Sequence, residues 1–250
     1  MIKIVVYTVL SGNYDEIQAI KNNETDVEYV CITDSGSHTV PIGWTHLVIN
    51  NKKVKGKDFN RYYKINPHII FGAYDISLYV DANVNIKSKL KPFILDAMSS
   101  HDISLYAHHE RGNIYHESDK CIERGLDYAW RFYKQLNKYE REGYKSRELL
   151  EGNMIIRKHN RDHIIKAMDT WWKEYSSYSK RDQISLLYSL WKCNVSHKNL
   201  GSGFVGSNNN YFSNGHHIPS KKKAIKVRIV RFVNMVYGFF NKKKYYSNEN

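Results

Sequence analysis

The run Leu78-Tyr79-Val80 stops abruptly at Asp81-Ala82-Asn83, an acid, a small residue and an amide, before Val84 resumes the apolar pattern. Short continuous apolar runs bounded by polar residues read as strands buried on both faces, which requires helices above and below the sheet. In open α/β sheets a buried strand that delivers a carboxylate to its C-terminal end presents a metal ligand to a phosphate-bearing ligand. That segment points to a site at a sheet edge.

The remaining pattern agrees. Strands are expected over residues 2–9, 27–33, 44–50, 76–80, 103–107 and 154–157, and helices over 58–71, 90–99, 163–175 and 182–191, with two more inside 118–148. Alternation of this kind specifies an α/β sheet. Pro67 lies inside the 58–71 pattern, so a kink or a new turn is expected there. The turn Ser11-Gly12-Asn13-Tyr14-Asp15 leads into a short amphipathic segment over 16–21, a strand-turn-helix opening that would place backbone amides near a ligand. Residues 199–217, rich in Gly, Asn, Ser and His without periodicity, read as disordered or as a ligand-facing loop.

Charge narrows the functional classes. The chain carries +13 formally, yet the segment from Ser220 onward holds nine Lys or Arg against the single acid Glu249, leaving +5 for the first 219 residues. A basic body that binds nucleic acid is therefore disfavoured. Residues 1–219 are expected to form one catalytic domain, and 220–250 a basic tail. Cys31, Cys121 and Cys193 lack disulfide or zinc spacing, which fits a reducing cytoplasm.

Several residues could carry chemistry. Asp81 and Asn83 offer two oxygen ligands for Mn²⁺ or Mg²⁺, a Lewis acid for charge on a leaving diphosphate; in the alternative they only begin and cap a turn. Arg61 and Lys64, three apart on one helical face, would bind a diphosphate or form a solvated surface. His108-His109-Glu110-Arg111 follows the 103–107 strand, and His109, Glu110 or Glu151 could accept a proton from an attacking hydroxyl.

The order of these elements resembles a known family. Tyr7-Thr8 with Gly12-Asn13-Tyr14, then Cys31-Ile32-Thr33-Asp34, Arg61-x-x-Lys64-x-x-Pro67 and Leu78 through Asn83 resemble the glycosyltransferase-like family of plant mucilage and turgor-regulating proteins, itself similar to family 8 glycosyltransferases. Glu151-Gly152-Asn153 through Arg157, and Ser179 through Ser185, strengthen the likeness, which covers residues 1–217. The resemblance implies a GT-A-like, Rossmann-like fold with a mixed, mostly parallel sheet, and a nucleoside diphosphate sugar donor with a saccharide acceptor. It further implies that Thr8, Asn13, Tyr14 and Asp34 hold the nucleoside, and that Arg61, Lys64 and Asn153 hold the phosphates and sugar. Asp182 and Gln183 would contact the transferred sugar, and His216 or His217 would complete a metal site with Asp81 and Asn83. Asn83 departs from the family 8 pattern, which has an acid there.

The tail, 221–244, is apolar between basic ends. It is too interrupted to cross a bilayer, and an interfacial helix with Phe232, Met235, Val236, Phe239 and Phe240 against an anionic surface is expected, placing the protein at the inner face of a membrane. Packing on the domain and a nucleic-acid arm are the alternatives. Two other classes remain open, a nucleotidyltransferase of similar sheet architecture, whose Gly-rich loop with a Lys is not matched by Ser11-Gly12-Asn13, and a non-enzymatic module for RNA or anionic surfaces.

Overall fold

The computed structural model describes residues 2–12, 17–22, 24–203, 209–215 and 221–240, with side chains over 224–239 in the last segment. In chain order the elements are β1 (Ile4–Leu10), β2 (Val27–Thr33), β3 (Thr45–Val48), α1 (Lys57–Ile65), β4 (Ile76–Val80), β5 (Val84–Ile86), α2 (Lys91–Ala97), β6 (Ile103–Ala107), α3 (Ile114–Glu123), α4 (Ala129–Arg141), β7 (Met154–Arg157), α5 (Asp162–Ser177), α6 (Asp182–Lys192), β8 (Lys198–Ser202), β9 (Phe212–Asn214) and α7 (Lys221–Phe240).

The main sheet runs β3-β2-β1-β4-β7-β6-β8. Every pairing is parallel except those of β7, which is antiparallel to both β4 and β6. This is the expected mixed, mostly parallel α/β sheet. All seven residues of β1 are buried, the signature of a central strand covered on both faces. Alternate side chains of β1 feed two cores: Val5, Tyr7 and Val9 pack with residues of α1, α4, α5 and α6, while Ile4 and Val6 pack with Leu90, Ile94 and Ala97 around α2. Full burial of each such aliphatic side chain contributes roughly 1.5–3 kcal/mol.

Three local expectations change. Residues 17–20 have no regular structure, and Ile17 and Ile20 are instead buried against the sheet edge, so the described part of the amphipathic pattern over 16–21 is a packed loop rather than a helix. The described part of the 199–217 segment holds all but the first residue of β8, and β9, which pairs antiparallel with β5, Ile86 opposite Phe212 and Val84 opposite Asn214. Two three-residue strands carry too few positions for a readable period, which is why the sequence shows a loop there. The helix over 58–71 ends at Ile65, and Pro67 opens a 3₁₀ turn over Pro67–Ile69.

α7 lies on the α3–α4 connection. Asn234 is 5 % exposed, and its side chain accepts from the Ala129 N–H (2.8 Å) while donating to the carbonyls of Ile122 (3.1 Å) and Asp127 (3.0 Å). It thereby satisfies an orphan donor at the first turn of α4. The helix sits so close to Gly125, φ +65°, that a Cβ there would meet the Val227 carbonyl at 2.6 Å. Ile225, Ile229, Phe232, Met235 and Phe239, on the opposite face, are exposed. Among the described residues, no helix is long and apolar enough to cross a membrane.

Candidate functional site

The site forms where β1, β2 and β4 end and β7 begins. β4 is buried throughout and stops at Asp81, whose N–H donates to the Asn153 carbonyl at 2.8 Å. Because β7 runs against β4, its first residues lie beside the last residues of β4, and Glu151-Gly152-Asn153 is brought to Asp81. The Asp81 carboxylate accepts from the Tyr79 hydroxyl (2.6 Å) and stays 29 % exposed.

α1 supplies two cations to this edge. Lys64, 1 % exposed, places Nζ at 2.5 Å from Asp182 Oδ2 and 4.0 Å from Asp81 Oδ1, and Arg61 Nε lies 3.1 Å from the same Asp182 oxygen. Asp182 opens α6, where the helix dipole also favours negative charge. Burial pushes the Asp182 carboxyl up, but Arg61, Lys64 and Arg181 outweigh it and hold it well below the usual carboxylate range. Gly152 roofs the pair: a Cβ there would stand 3.1 Å from Lys64 Nζ and 3.5 Å from Asp182 Oδ2, with Gln183 Cγ at 3.8 Å.

Toward the β1 edge, Thr8 is fully buried and its hydroxyl has no hydrogen-bond partner. It lines a cleft with Ile17, Ile20, Trp44, Asp81 and Ala82. An orphaned hydroxyl facing a cleft is a ready contact for a ligand. Asp34, past the end of β2, accepts from Ser11 Oγ (2.5 Å) and contacts His38 Nε2 (3.0 Å). Partial burial raises the Asp34 carboxyl, but Ser11, His38 and the Gly12 N–H together hold it below its ordinary value.

On the β6 side, Glu151 is buried with Oε1 at 3.0 Å from His109 Nδ1 and Oε2 accepting from Asn153 Nδ2 at 3.1 Å. The Asn153 Oδ1 is buried without a donor. Gly203 backs the Glu151 carboxylate so closely that a Cβ would land on Oε1.

Ten of the expected residues, Thr8, Asp34, Arg61, Lys64, Asp81, His109, Glu151, Asn153, Asp182 and Gln183, lie at or beside this edge. Asn83 follows Asp81, and its carbonyl accepts from the Gly215 N–H at 2.5 Å, so the β5–β9 ladder delivers the residue preceding His216 to the Asp81-x-Asn83 turn. Asn13, Tyr14, His216 and His217 themselves lie outside the described residues.

Asp81 and Asn83 are oxygen donors of the kind that suits Mg²⁺ or Mn²⁺. The partly exposed carboxylate at the cleft fits that group, although Lys64 competes for it at 4.0 Å. A second set, His108, His109 and Glu151, has ligand atoms all within 4.8 Å and a borderline nitrogen-oxygen character.

Two buried charged residues beside the site were not singled out as site residues from the sequence. Glu117, 2 % exposed, holds Arg111 Nε at 2.6 Å and Arg181 Nη2 at 3.2 Å, tying the loop after β6 to the start of α6. Its signal was an acid on the buried stripe Ile114, Ser118, Cys121 of α3. The other is Arg157 at the end of β7, fully buried.

A family model described as TOD1/MUCI70, glycosyltransferase-like domain, matches residues 32–217. No curated protein matches the sequence. Among solved structures, the galactosyltransferase LgtC in complex with donor and acceptor sugar analogues is similar at 9 % identity, over 75 % of this chain and 70 % of that chain, with a TM-score of 0.39.

Proposed function

This chain belongs to the TOD1/MUCI70 glycosyltransferase-like family, and from that premise we propose that it transfers a hexose from a nucleoside diphosphate sugar to a hydroxyl of a saccharide acceptor, in the synthesis of a surface polysaccharide or glycan. The observation that carries the reading is the convergence of Arg61, Lys64 and Asp182 beside Asp81 at the strand edge. Charge grows on the diphosphate as the glycosidic bond breaks, and fixed cations at that point stabilise the transition state more than the ground state.

In this reading Thr8, Asn13, Tyr14 and Asp34 hold the nucleoside, while Arg61 and Lys64 engage the diphosphate. Asp182 keeps both cations charged and aimed, and Gln183 and Asn153 contact the transferred sugar. Asp81 and Asn83, with His216, would hold Mn²⁺ or Mg²⁺, which supplies Lewis-acid stabilisation of the leaving diphosphate. The acceptor oxygen forms the new bond to the anomeric carbon, and the bond to the diphosphate oxygen breaks with its electron pair leaving on the nucleotide. The acceptor proton passes to the Glu151 carboxylate, directly or through His109.

The same reading places the enzyme in the cytoplasm at the inner face of a membrane, attached through residues 221–244, with no nucleic-acid partner. Support comes from the outward apolar face of α7 and the absence of any acid in that helix. Purified protein with Mn²⁺, offered the common sugar nucleotides, is expected to release a nucleoside diphosphate. No release from any of them, together with donor binding unchanged in Asp81→Ala by calorimetry, would refute the assignment.

A further inference from the structure

Arg157 is the largest charged side chain buried in the core, and it ends β7 beneath the donor site. Among the described residues no carboxylate pairs with it. Its donors go to oxygens instead: Nη1 to the Ile65 carbonyl at 3.3 Å, and Nη2 to the Lys64 carbonyl and, at 2.7 Å, the Tyr7 hydroxyl. Nη1 also touches Met168 Sδ at 3.0 Å. Tyr7 donates in turn to the Lys64 carbonyl at 2.9 Å. A buried guanidinium without a counterion is costly unless a strong negative potential replaces one. Here the replacement is the C-terminal end of α1, where unpaired carbonyls concentrate the negative end of the helix dipole.

The carbonyls it grips belong to the turn that carries the two site cations. Arg61 and Lys64 reach Asp182 from the last turns of α1, and Lys64 also stands 5.2 Å over the Tyr79 ring, which packs edge-on against Tyr7 at 5.3 Å. A bond from the central sheet to the backbone of Lys64 therefore fixes the height and rotation of that turn relative to Asp81.

The geometry points to Arg157 as a positioning residue: from β7 it clamps the end of α1 and sets where Arg61 and Lys64 present their charges to the donor diphosphate. The inference rests on the transferase reading for its consequence, but the clamp itself does not depend on the donor. A displacement of about 1 Å at a binding group is enough to cost up to about a hundredfold.

The test uses the full chain with Arg157→Met, Arg157→Lys and Tyr7→Phe, each checked for folding by circular dichroism. Donor KM is expected to rise about tenfold or more in Arg157→Met and less in Arg157→Lys and Tyr7→Phe, which each keep part of the clamp. A purely structural role would lower the melting temperature and the folded fraction while leaving KM unchanged, and that result overturns the inference. A second readout needs no activity: the Lys64 ammonium, protected by Asp182, should give a slowly exchanging Nζ–Hζ resonance, identified by its loss in Lys64→Arg. Its disappearance in Arg157→Met supports the clamp, and its persistence in every Arg157 and Tyr7 variant overturns it. If wild-type protein turns over no donor, the transferase reading falls, and the resonance still decides the role of Arg157.

Discussion

Lys64 and Asp182 are 118 positions apart in the chain and meet at 2.5 Å, each almost wholly shielded from water. Removal of one partner from such a pair strands the other charge in a low-dielectric site, which costs about 3–5 kcal/mol, whereas replacing both by apolar groups is far milder. Asp182→Asn should lower stability by that amount in urea titration, and Lys64→Met with Asp182→Leu should recover only part of it, because Arg61 also loses its carboxylate. The double variant should still release no nucleotide.

Asn83→Asp adds a formal negative charge at the Asp81 turn. Mn²⁺ affinity by calorimetry should rise about tenfold, since cation affinity follows ligand charge. In Asp81→Ala it should be lost together with turnover.

Gly203→Ala should separate chemistry from folding. The added Cβ would displace the Glu151 carboxylate, the far end of a flexible side chain, away from His109. Stability should fall by about 1–3 kcal/mol as the buried carboxylate loses hydrogen bonds, while kcat drops by more than the loss of folded protein accounts for.

His159 predicts an acid-sensitive fold. It is buried with Nε2 at 2.9 Å from the Phe71 carbonyl, and burial first, then the Arg157 charge, depresses its pKa from 6.5 to about 4. The unfolded chain therefore binds a proton between about pH 6.5 and 4 that the native state refuses. Stability is full above that window, falls as pH drops through it, and levels off below. The loss amounts to about 3 kcal/mol. Urea midpoints at pH 7 and pH 4.5 should differ less in His159→Asn.

Phe232→Glu with Phe239→Glu, in the full chain, should abolish co-flotation with vesicles containing phosphatidylglycerol and leave donor turnover in solution intact. Point substitution is preferable to truncation, because α7 also supplies Asn234 to the Ala129 N–H.

The parallel strands and the placement of Asp81 were legible because a buried strand writes its burial as an unbroken apolar run. Arg61 and Lys64 were legible as a pair on one helical face, but their partner was not, since local spacing says nothing of a carboxylate on α6. Glu117 and Arg157 were missed for the same reason: whether a charge is buried depends on which distant oxygens or nitrogens surround it. The pairing of β5 with β9 stayed hidden because a three-residue strand has no period, and the 16–21 pattern misled because two buried isoleucines three apart suit a packed loop as well as a helix turn.

Among the described strands of the main sheet, β7 alone runs against its neighbours, so the edge that collects the endings of β1, β2 and β4 also receives a beginning. Chain length on the two sides of that strand is therefore not equivalent. An insertion ahead of Met154 would remodel the candidate site, while one after Arg157 would emerge at the opposite rim of the sheet. Related chains that diverge in substrate should vary in the first place and tolerate change in the second.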